Sequence, residues 1–258
     1  IQGCGESNNP LETGRSIHEL RAQPSVHELT GGFKSFSDDF ETGLDPAVWY
    51  AEYYNGAQWI HATENGNGYI YCTPQVSQGY KRWTSIYTTS VDFDNFVFTW
   101  DMRFRSEGYH KDSRRVLFRS DDNWIFPYCY TLYEGVGRPS PPYPFSDELT
   151  LSINNPDNTV TGLVQVSNSW VLNQWYSFKL EVNGNVMKVK VWAKGNLEPK
   201  DWTLEAVDAS ATYTSGRIGF SNYWFGLTDV DNVNVAPLVC LVNFDIKPGS
   251  CPNPLNIG

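Results

Sequence analysis

Aromatic side chains at several points of this sequence are of the type that binds sugar rings. A sugar ring presents a C–H face that lies flat on Trp or Tyr, while Asp, Asn and Arg bind its hydroxyls. Two adjacent pairs stand out, because neighbouring strand residues face opposite sides and cannot both lie in a core. The candidates for glycan binding, which include both pairs, are Tyr53, Tyr54, Trp59, Trp83, Trp124, Tyr143, Tyr223 and Trp224. Most Trp residues of a β protein are core residues, and this is the competing interpretation for each.

Pairs of acidic residues are the second group with chemical potential. Glycoside hydrolysis needs two carboxylates that face one cleft, and the chain offers three local pairs: Asp92/Asp94, Asp147/Glu148 and Asp229/Asp231. Solvated acids at strand ends explain each pair equally well. The sequence has no His/Cys metal spacing, no Gly-x-Ser-x-Gly nucleophile motif and no phosphate-binding loop.

Composition narrows the class of protein. The chain has 258 residues, of which 19% are charged and 15% aromatic, with 21 Gly and 15 Pro. Aromatic and turn residues in this proportion favour many short strands over helices. A net charge of −10 disfavours nucleic acid and anionic lipid as partners. No apolar run approaches the ~18 residues of a membrane span, and five cysteines favour an extracellular protein.

Hydrophobic alternation divides the chain into three parts. Strand patterns fill residues 33–237, for example at 96–100, and Asn183-Gly184 is a strong hairpin signal. Residues 1–32 are polar and almost free of aromatics, which predicts an extended N-terminal tail. Residues 238–258 predict one further strand, a turn at 247–250 and a Pro-rich end. The fold class predicted is therefore all-β: a two-sheet antiparallel sandwich with an appendage at each end.

Four segments of the central part, in this order, resemble the concanavalin A-like lectin/glucanase superfamily, and within it the laminin-G-like jelly-roll modules. The segments are FSDDF at 36–40 with Trp49, NQWYSFKLEV at 173–182, YTSGRIGF at 213–220 and DVDNVNV at 229–235. The resemblance spans about residues 33–237. It implies a jelly-roll fold, which hosts lectins, hydrolases, lyases and adhesive modules.

The resemblance also bears on metal binding and catalysis. Pairing of the first and last strands would bring Asp38 or Asp39 close to Asp229 and Asp231, and a hard divalent cation would neutralise such a cluster. The candidate ligands are Asp39, Asp229 and Asp231. Many modules of this type carry calcium, so a structural calcium ion is expected there. Glucanases of the superfamily place acids at alternate positions of one strand, and its lyases add a Gln-x-His. Both patterns are missing here, so the prediction leans against an enzyme.

Five cysteines leave the pairing open. Cys240 and Cys251 flank the Pro-Gly turn and could close a small loop. Cys72 and Cys129 both lie in strand-like runs and are the remaining candidates for a pair. Cys4 is then left over, and we expect it to pair between chains.

Two non-enzymatic functions compete, and a glycan-cleaving hydrolase or lyase is a third alternative. In the first, the chain is a structural protomer of a cell-surface or filamentous assembly, in which both terminal segments dock on copies of the same chain. Apolar anchors of the tail would be Leu11, Ile17, Leu20 and Val26. In the second, the chain is a secreted carbohydrate-binding module whose partner is a polysaccharide. The sequence-based prediction is the assembly protomer, because a binding module alone needs neither appendage.

Overall fold

A computed structural model of the chain describes residues 25–29, 33–52, 57–73, 83–89, 92–106, 114–121, 128–135, 147–223, 227–242 and 245–248. These residues form eighteen strands and no helix. The strands are β1 Ser25–Leu29, β2 Phe33–Asp38, β3 Trp49–Glu52, β4 Trp59–Glu64, β5 Asn67–Cys72, β6 Trp83–Thr88, β7 Phe96–Phe104, β8 Arg114–Ser120, β9 Cys129–Gly135, β10 Glu148–Asn154, β11 Val160–Ser167, β12 Trp175–Asn183, β13 Val186–Ala193, β14 Leu204–Val207, β15 Arg217–Tyr223, β16 Thr228–Pro237, β17 Val239–Val242 and β18 Asp245–Pro248.

Two antiparallel sheets carry sixteen of these strands. The first has the order β1-β2-β16-β7-β12-β13-β14, with β5 also paired to β16 and β4 paired to β5. The second has the order β11-β10-β9-β8-β15-β6-β3. The two sheets enclose one main core, so the predicted all-β, two-sheet antiparallel sandwich is confirmed.

Aromatic residues at alternate strand positions build this core. Phe96, Phe98 and Trp100 of β7 are almost fully buried, as the alternation along this strand requires. The Trp100 ring stacks on Phe178 of β12, with ring centroids 5.0 Å apart and an interplanar angle of 9°. Phe118 of β8 packs against the core from the second sheet. Stacked aromatic pairs of this kind add about 0.5–1.5 kcal/mol each beyond their area burial.

Both appendages differ in detail from the sequence prediction. Part of the predicted N-terminal tail forms β1, and Val26 lies opposite Phe36 of β2 in the same sheet. Where the sequence predicted one strand at 238–246 and a turn at 247–250, the structure has two short strands, β17 and β18, paired as a separate hairpin. The backbone groups of β1, β17 and β18 therefore pair within the same chain, whereas the sequence prediction had these segments dock on neighbouring copies.

The predicted disulfide between Cys72 and Cys129 is wrong, because both residues are buried free thiols. Cys72 belongs to the main core between the sheets. Cys129 packs with Tyr87 and Leu117 in a separate small cluster, since the next residue, Tyr130, is the one that enters the main core. Burial raises the pKa of each thiol to about 12, so neither is a reactive cysteine at neutral pH.

The core contains a buried arginine next to a buried glutamic acid. Arg114 and Glu134 are both fully buried, and the Arg114 guanidinium lies 5.2 Å from the Phe104 ring centroid. Arg114 Nε donates to Thr228 Oγ1 over 3.1 Å, whereas neither carboxyl oxygen of Glu134 has a hydrogen-bond partner among the described residues. Burial raises the pKa of Glu134 to about 8, although the charge of Arg114 opposes the shift. The folded protein therefore keeps this carboxyl protonated at neutral pH.

We expect Glu134→Gln to remove a pH-dependent loss of stability. Between the ordinary carboxyl pKa and about 8, the unfolded chain is ionised at this position while the folded chain holds a proton, so stability falls as pH rises. The variant should match the parent near pH 4 and be more stable by a few kcal/mol near pH 9. Urea denaturation across this range measures the difference. The control is Asp201→Asn at an exposed position. A constant offset between Glu134→Gln and the parent at all pH values would contradict the expectation.

Candidate functional site

A polar cleft of about 580 Å³ lies at one end of the sandwich. It is formed by the β6–β7, β12–β13 and β14–β15 connections together with the end of β8. We call it the polar cleft; its lining residues are Asp94, Asn95, Arg119, Gly184, Asn185, Ala211, Thr214 and Ser215. This volume lies within the range of ~300–1,000 Å³ that is typical of small-molecule sites.

The guanidinium of Arg119 holds the walls of the polar cleft together. Arg119 Nε and Nη2 donate to the carbonyl oxygen of Asp94, over 3.0 and 2.5 Å. Nη1 donates to the carbonyl oxygens of Gly184, over 2.7 Å, and Tyr213, over 2.9 Å. These three acceptors belong to three different connections. One side chain, itself only 3% exposed, therefore fixes the relative positions of the segments that line the cleft.

A β-bulge directs Arg119 to this position. In the pairing of β8 with β15, Phe118 and Arg119 lie opposite the single residue Ile218, and Arg119 has a φ of +49°. An extra residue in one strand breaks the alternation and redirects a side chain. Gly216 lies against this bulge: a Cβ there would be 2.5 Å from the backbone carbon of Arg119. Only glycine fits at that position without moving the chain.

Asparagine side chains and a buried carboxylate complete the framework. The Asn95 side-chain oxygen accepts a hydrogen bond from Gly184 N over 2.6 Å, and Asn185 Nδ2 donates to the carbonyl oxygen of Asp208 over 3.0 Å. Burial alone would raise the pKa of Asp208, but hydrogen bonds from Thr212 N and the Tyr130 hydroxyl hold it below its ordinary value. Asp208 is therefore ionised behind the wall of the cleft.

The groups that remain at the solvent side of the cleft are hydrogen-bonding side chains. Asp94, Thr214 and Ser215 are exposed, and Asn185 is half-buried. Together they offer a carboxylate, a carboxamide and two hydroxyls, which donate to and accept from a ligand rich in hydroxyl groups. The cleft thus combines a rigid backbone frame with hydrogen-bonding groups at its solvent side.

Removal of the Arg119 guanidinium should destabilise the frame. Arg119→Met leaves the part-buried carbonyls of Asp94, Gly184 and Tyr213 without this donor, and an acceptor that loses its partner costs roughly 1 kcal/mol. We expect the free energy of unfolding to fall by about 3 kcal/mol or more in urea denaturation. Arg119→Lys should recover only part of the loss, because an ammonium group has no planar fork. The exposed Lys200→Met is the control, and equal stability of both Met variants would contradict the assigned role of Arg119.

The predicted calcium ligands do not form a metal site. Asp229 is fully buried, and its Oδ2 accepts hydrogen bonds from Arg103 Nε over 2.6 Å and Arg105 Nε over 2.7 Å. Asp39 accepts a hydrogen bond from the backbone of its own loop. No group of three or more metal-ligating side chains occurs among the described residues. The prediction of Asp39, Asp229 and Asp231 as one site is corrected, because arginine supplies the compensating charge at Asp229.

Asp231 is likewise engaged by protein groups. Its Oδ2 accepts hydrogen bonds from the side-chain amides of Asn67 and Asn232, each over 2.9 Å. Burial raises the pKa of Asp231 to about 6. The predicted antiparallel pairing of the first and last sandwich strands does occur, since β2 pairs with β16 at Asp38 and Val233. The strands therefore meet as expected, but their acids bind neighbouring side chains.

Next to Asp229, the outer face of the first sheet carries arginine side chains and aromatic rings in alternation. The Arg103 guanidinium lies 4.7 Å from the Trp175 ring centroid and 5.3 Å from that of Tyr69. Arg105 lies 5.4 Å from the Tyr69 ring and 5.3 Å from the Tyr71 ring. We call these five residues the cation–aromatic ladder. Its rings already contact guanidinium groups, so it is a weaker candidate for sugar stacking than its composition suggests.

The predicted glycan-binding aromatics are only partly placed. Trp59 is 2% exposed in the main core, so its assignment as a glycan contact is corrected. Trp83 and Tyr223 lie directly opposite each other at the ends of β6 and β15. Tyr53, Tyr54, Trp124, Tyr143 and Trp224 lie outside the described residues.

Most predicted assembly residues also lie outside the described part of the chain. These are Cys4, Leu11, Ile17 and Leu20, together with Cys251. Cys240 lies in β17, where its backbone pairs with Lys247. Intermolecular docking of the tail and the pairing of Cys240 with Cys251 therefore stay predictions.

Sequence reasoning came close to the polar cleft without finding it. The sequence offers Asp92 and Asp94 as a carboxylate pair and predicts a hairpin at Asn183-Gly184. The β12–β13 pairing confirms the hairpin, with Gly184 and Asn185 as its loop. Nothing in the sequence shows that Asp94 and Asn185 lie at one cleft, because long-range pairing brings them together. The signal available was the number of Asp, Asn, Ser and Thr residues in these connections.

Comparisons with known proteins bear on the fold. No family model and no curated protein matches the sequence. Solved structures do match: the Ca²⁺/Man2-bound form of the VIP36 exoplasmic/lumenal domain has a TM-score of 0.56 and 10% identity, over 80% of this chain and 90% of that one. Lectin UEA-II in complex with galactose has a TM-score of 0.55 and 11% identity, over 78% and 97%. A Bacillus subtilis protein with a galectin-like fold has a TM-score of 0.52 and 12% identity, over 73% and 88%.

These similarities define the class of fold. The chain shares the two-sheet sandwich fold of these lectin-like structures, which is the fold that the sequence resemblance implied. At identities of 10–12% the likeness extends to the fold alone.

Proposed function

We propose that the chain is a non-catalytic carbohydrate-binding module that binds glycans in the polar cleft. The observation that carries the proposal is the cleft itself, in which Asp94, Asn185, Thr214 and Ser215 face a volume of about 580 Å³. Convergent carboxylate, amide and hydroxyl groups on a rigid frame match the hydroxyl pattern of a sugar.

Similar structures support this proposal over the assembly protomer. The VIP36 domain was solved with a mannose disaccharide, and UEA-II is a lectin solved with galactose. The structure also shows β1 completing the sheet of its own chain, so one part of the tail already has a main-chain partner. Both observations favour a binding module, with a polysaccharide as its partner, over a filament subunit.

A binding role also suits the chemistry of the cleft. Among the described residues that line it, Asp94 is the one carboxylate, while the nearby Asp208 is buried behind Asn185 and bound by three hydrogen-bond donors. Hydrolysis would require two carboxylates that flank one bond. We therefore propose recognition without cleavage.

The proposed location is extracellular. The described residues contain no helix that has the length and hydropathy needed to cross a membrane. The similar VIP36 domain is exoplasmic or lumenal, which is consistent with this location. In the proposed mode of binding, protein side chains alone form hydrogen bonds to the glycan, without a calcium ion.

Glycan binding is tested by titrating the full chain with a panel of polysaccharides and measuring Kd by isothermal calorimetry. We expect Asn185→Ala and Thr214→Ala each to weaken binding about 5–30-fold, since one lost hydrogen bond is worth roughly 1–2 kcal/mol. A chelator should leave Kd unchanged. Asn196→Ala, an exposed change in the β13–β14 connection, is the control. A Kd that responds to the control and not to the cleft variants would place binding elsewhere, and no binding to any glycan would reject the function.

A further inference from the structure

Among the described residues that line the polar cleft, Arg119 is the one basic residue. An arginine side chain has five N–H donors, and here its hydrogen bonds run to the carbonyl oxygens of Asp94, Gly184 and Tyr213. Four donor–acceptor pairs are thus formed inside the protein. The guanidinium therefore has no pair of donors left for the bidentate hydrogen bonds that arginine commonly forms with a carboxylate or sulfate.

One carboxylate lines the same cleft, and two further acids lie next to it in the sequence or behind its wall. Asp94 is exposed at its opening, and Asp92, two residues earlier, is exposed as well. Asp208 lies behind the Asn185 wall and is held in its ionised form. The chain as a whole carries a net charge of −10. An anionic group that enters the cleft therefore meets several like charges and one cation whose donors are already in use.

Asp94 also determines what a ligand must offer. Its Oδ1 accepts a hydrogen bond from Asn95 N over 2.7 Å, which fixes the carboxylate at the opening. An ionised carboxylate only accepts hydrogen bonds, so it selects ligand groups that donate. Hydroxyl groups of a neutral sugar donate, whereas carboxylate and sulfate groups do not.

We propose that the polar cleft is selective for uncharged glycans, that Asp94 is the residue that excludes acidic sugars, and that Arg119 is a positioning residue and does not bind the ligand's charge. This inference rests on the proposed function and adds the ligand class to it. An arginine in a polar cleft commonly binds an anion, but Arg119 does not.

The test uses chemically matched ligands and the full chain. Four neutral polysaccharides, namely dextran, mannan, levan and galactan, are each compared with carboxymethylated and sulfated derivatives of the same stock. A hydroxyethylated derivative, which adds similar bulk without charge, is the steric control. Affinity is measured by calorimetry at low and at high salt.

We expect at least one neutral polysaccharide to bind and its hydroxyethyl derivative to stay within about threefold of it. The carboxymethyl and sulfate derivatives should bind at least tenfold more weakly at low salt. High salt should reduce this ratio, because screening weakens the repulsion between exposed charges. Asp94→Asn should also reduce the ratio, whereas Asp201→Asn, the same charge change at an exposed position between β13 and β14, should leave it unchanged.

Each of the other possible results contradicts the selectivity, the role of Asp94 or the proposed function. Equal or tighter binding of the acidic derivatives, with binding itself intact, overturns the selectivity but keeps the proposed function. An equal loss for the hydroxyethyl and carboxymethyl derivatives shows steric exclusion and also overturns it. Identical ratios for Asp94→Asn and Asp201→Asn overturn the role of Asp94. Failure of every polysaccharide in every form overturns the proposed function.

Discussion

The hydrogen bonds of one buried guanidinium position the proposed binding site. Arg119 connects the carbonyls of Asp94, Gly184 and Tyr213, which belong to connections far apart in sequence. Charged donors form stronger hydrogen bonds than neutral ones. Because the acceptors are backbone atoms, the side chain fixes the course of the main chain, and the polar side chains that line the polar cleft follow from it.

The two sheets make this arrangement possible. Aromatic packing between the sheets, for example of Trp100 in β7 against Phe220 in β15, holds the sheets face to face, and strand pairing then brings the three connections to one end. The bulge opposite Ile218 turns Arg119 toward that end, and Gly216 leaves room for it. The cation–aromatic ladder on the outer face of the first sheet shows the contrasting case. There Arg103 and Arg105 bind Asp229 and cover aromatic rings, so the cations and their acid partner satisfy one another.

The fold was largely predictable from the sequence, and the site was not. Alternation at 96–100 and the hairpin after Asn183 follow from residue type and period, so the strands and the two-sheet class could be derived. The antiparallel pairing of β2 with β16 also followed from the expected order of strands, although its register did not. The ion pairing of Asp229 could not be predicted, because the register between β7 and β16 determines which arginines lie next to it. Trp59 shows the same limit, since a tryptophan looks alike in sequence whether it faces a core or a ligand.

The measurement that tests the central claim most directly is a nuclear magnetic resonance titration of the isotope-labelled full chain with the neutral polysaccharide fragment that binds best. The account predicts that backbone amide shifts concentrate at Asn95, Gly184, Asn185, Thr214 and Ser215. Residues of the cation–aromatic ladder, such as Tyr71 and Trp175, should not move. Shifts confined to the ladder, or spread evenly over both sheets, would contradict the assignment of the polar cleft as the binding site.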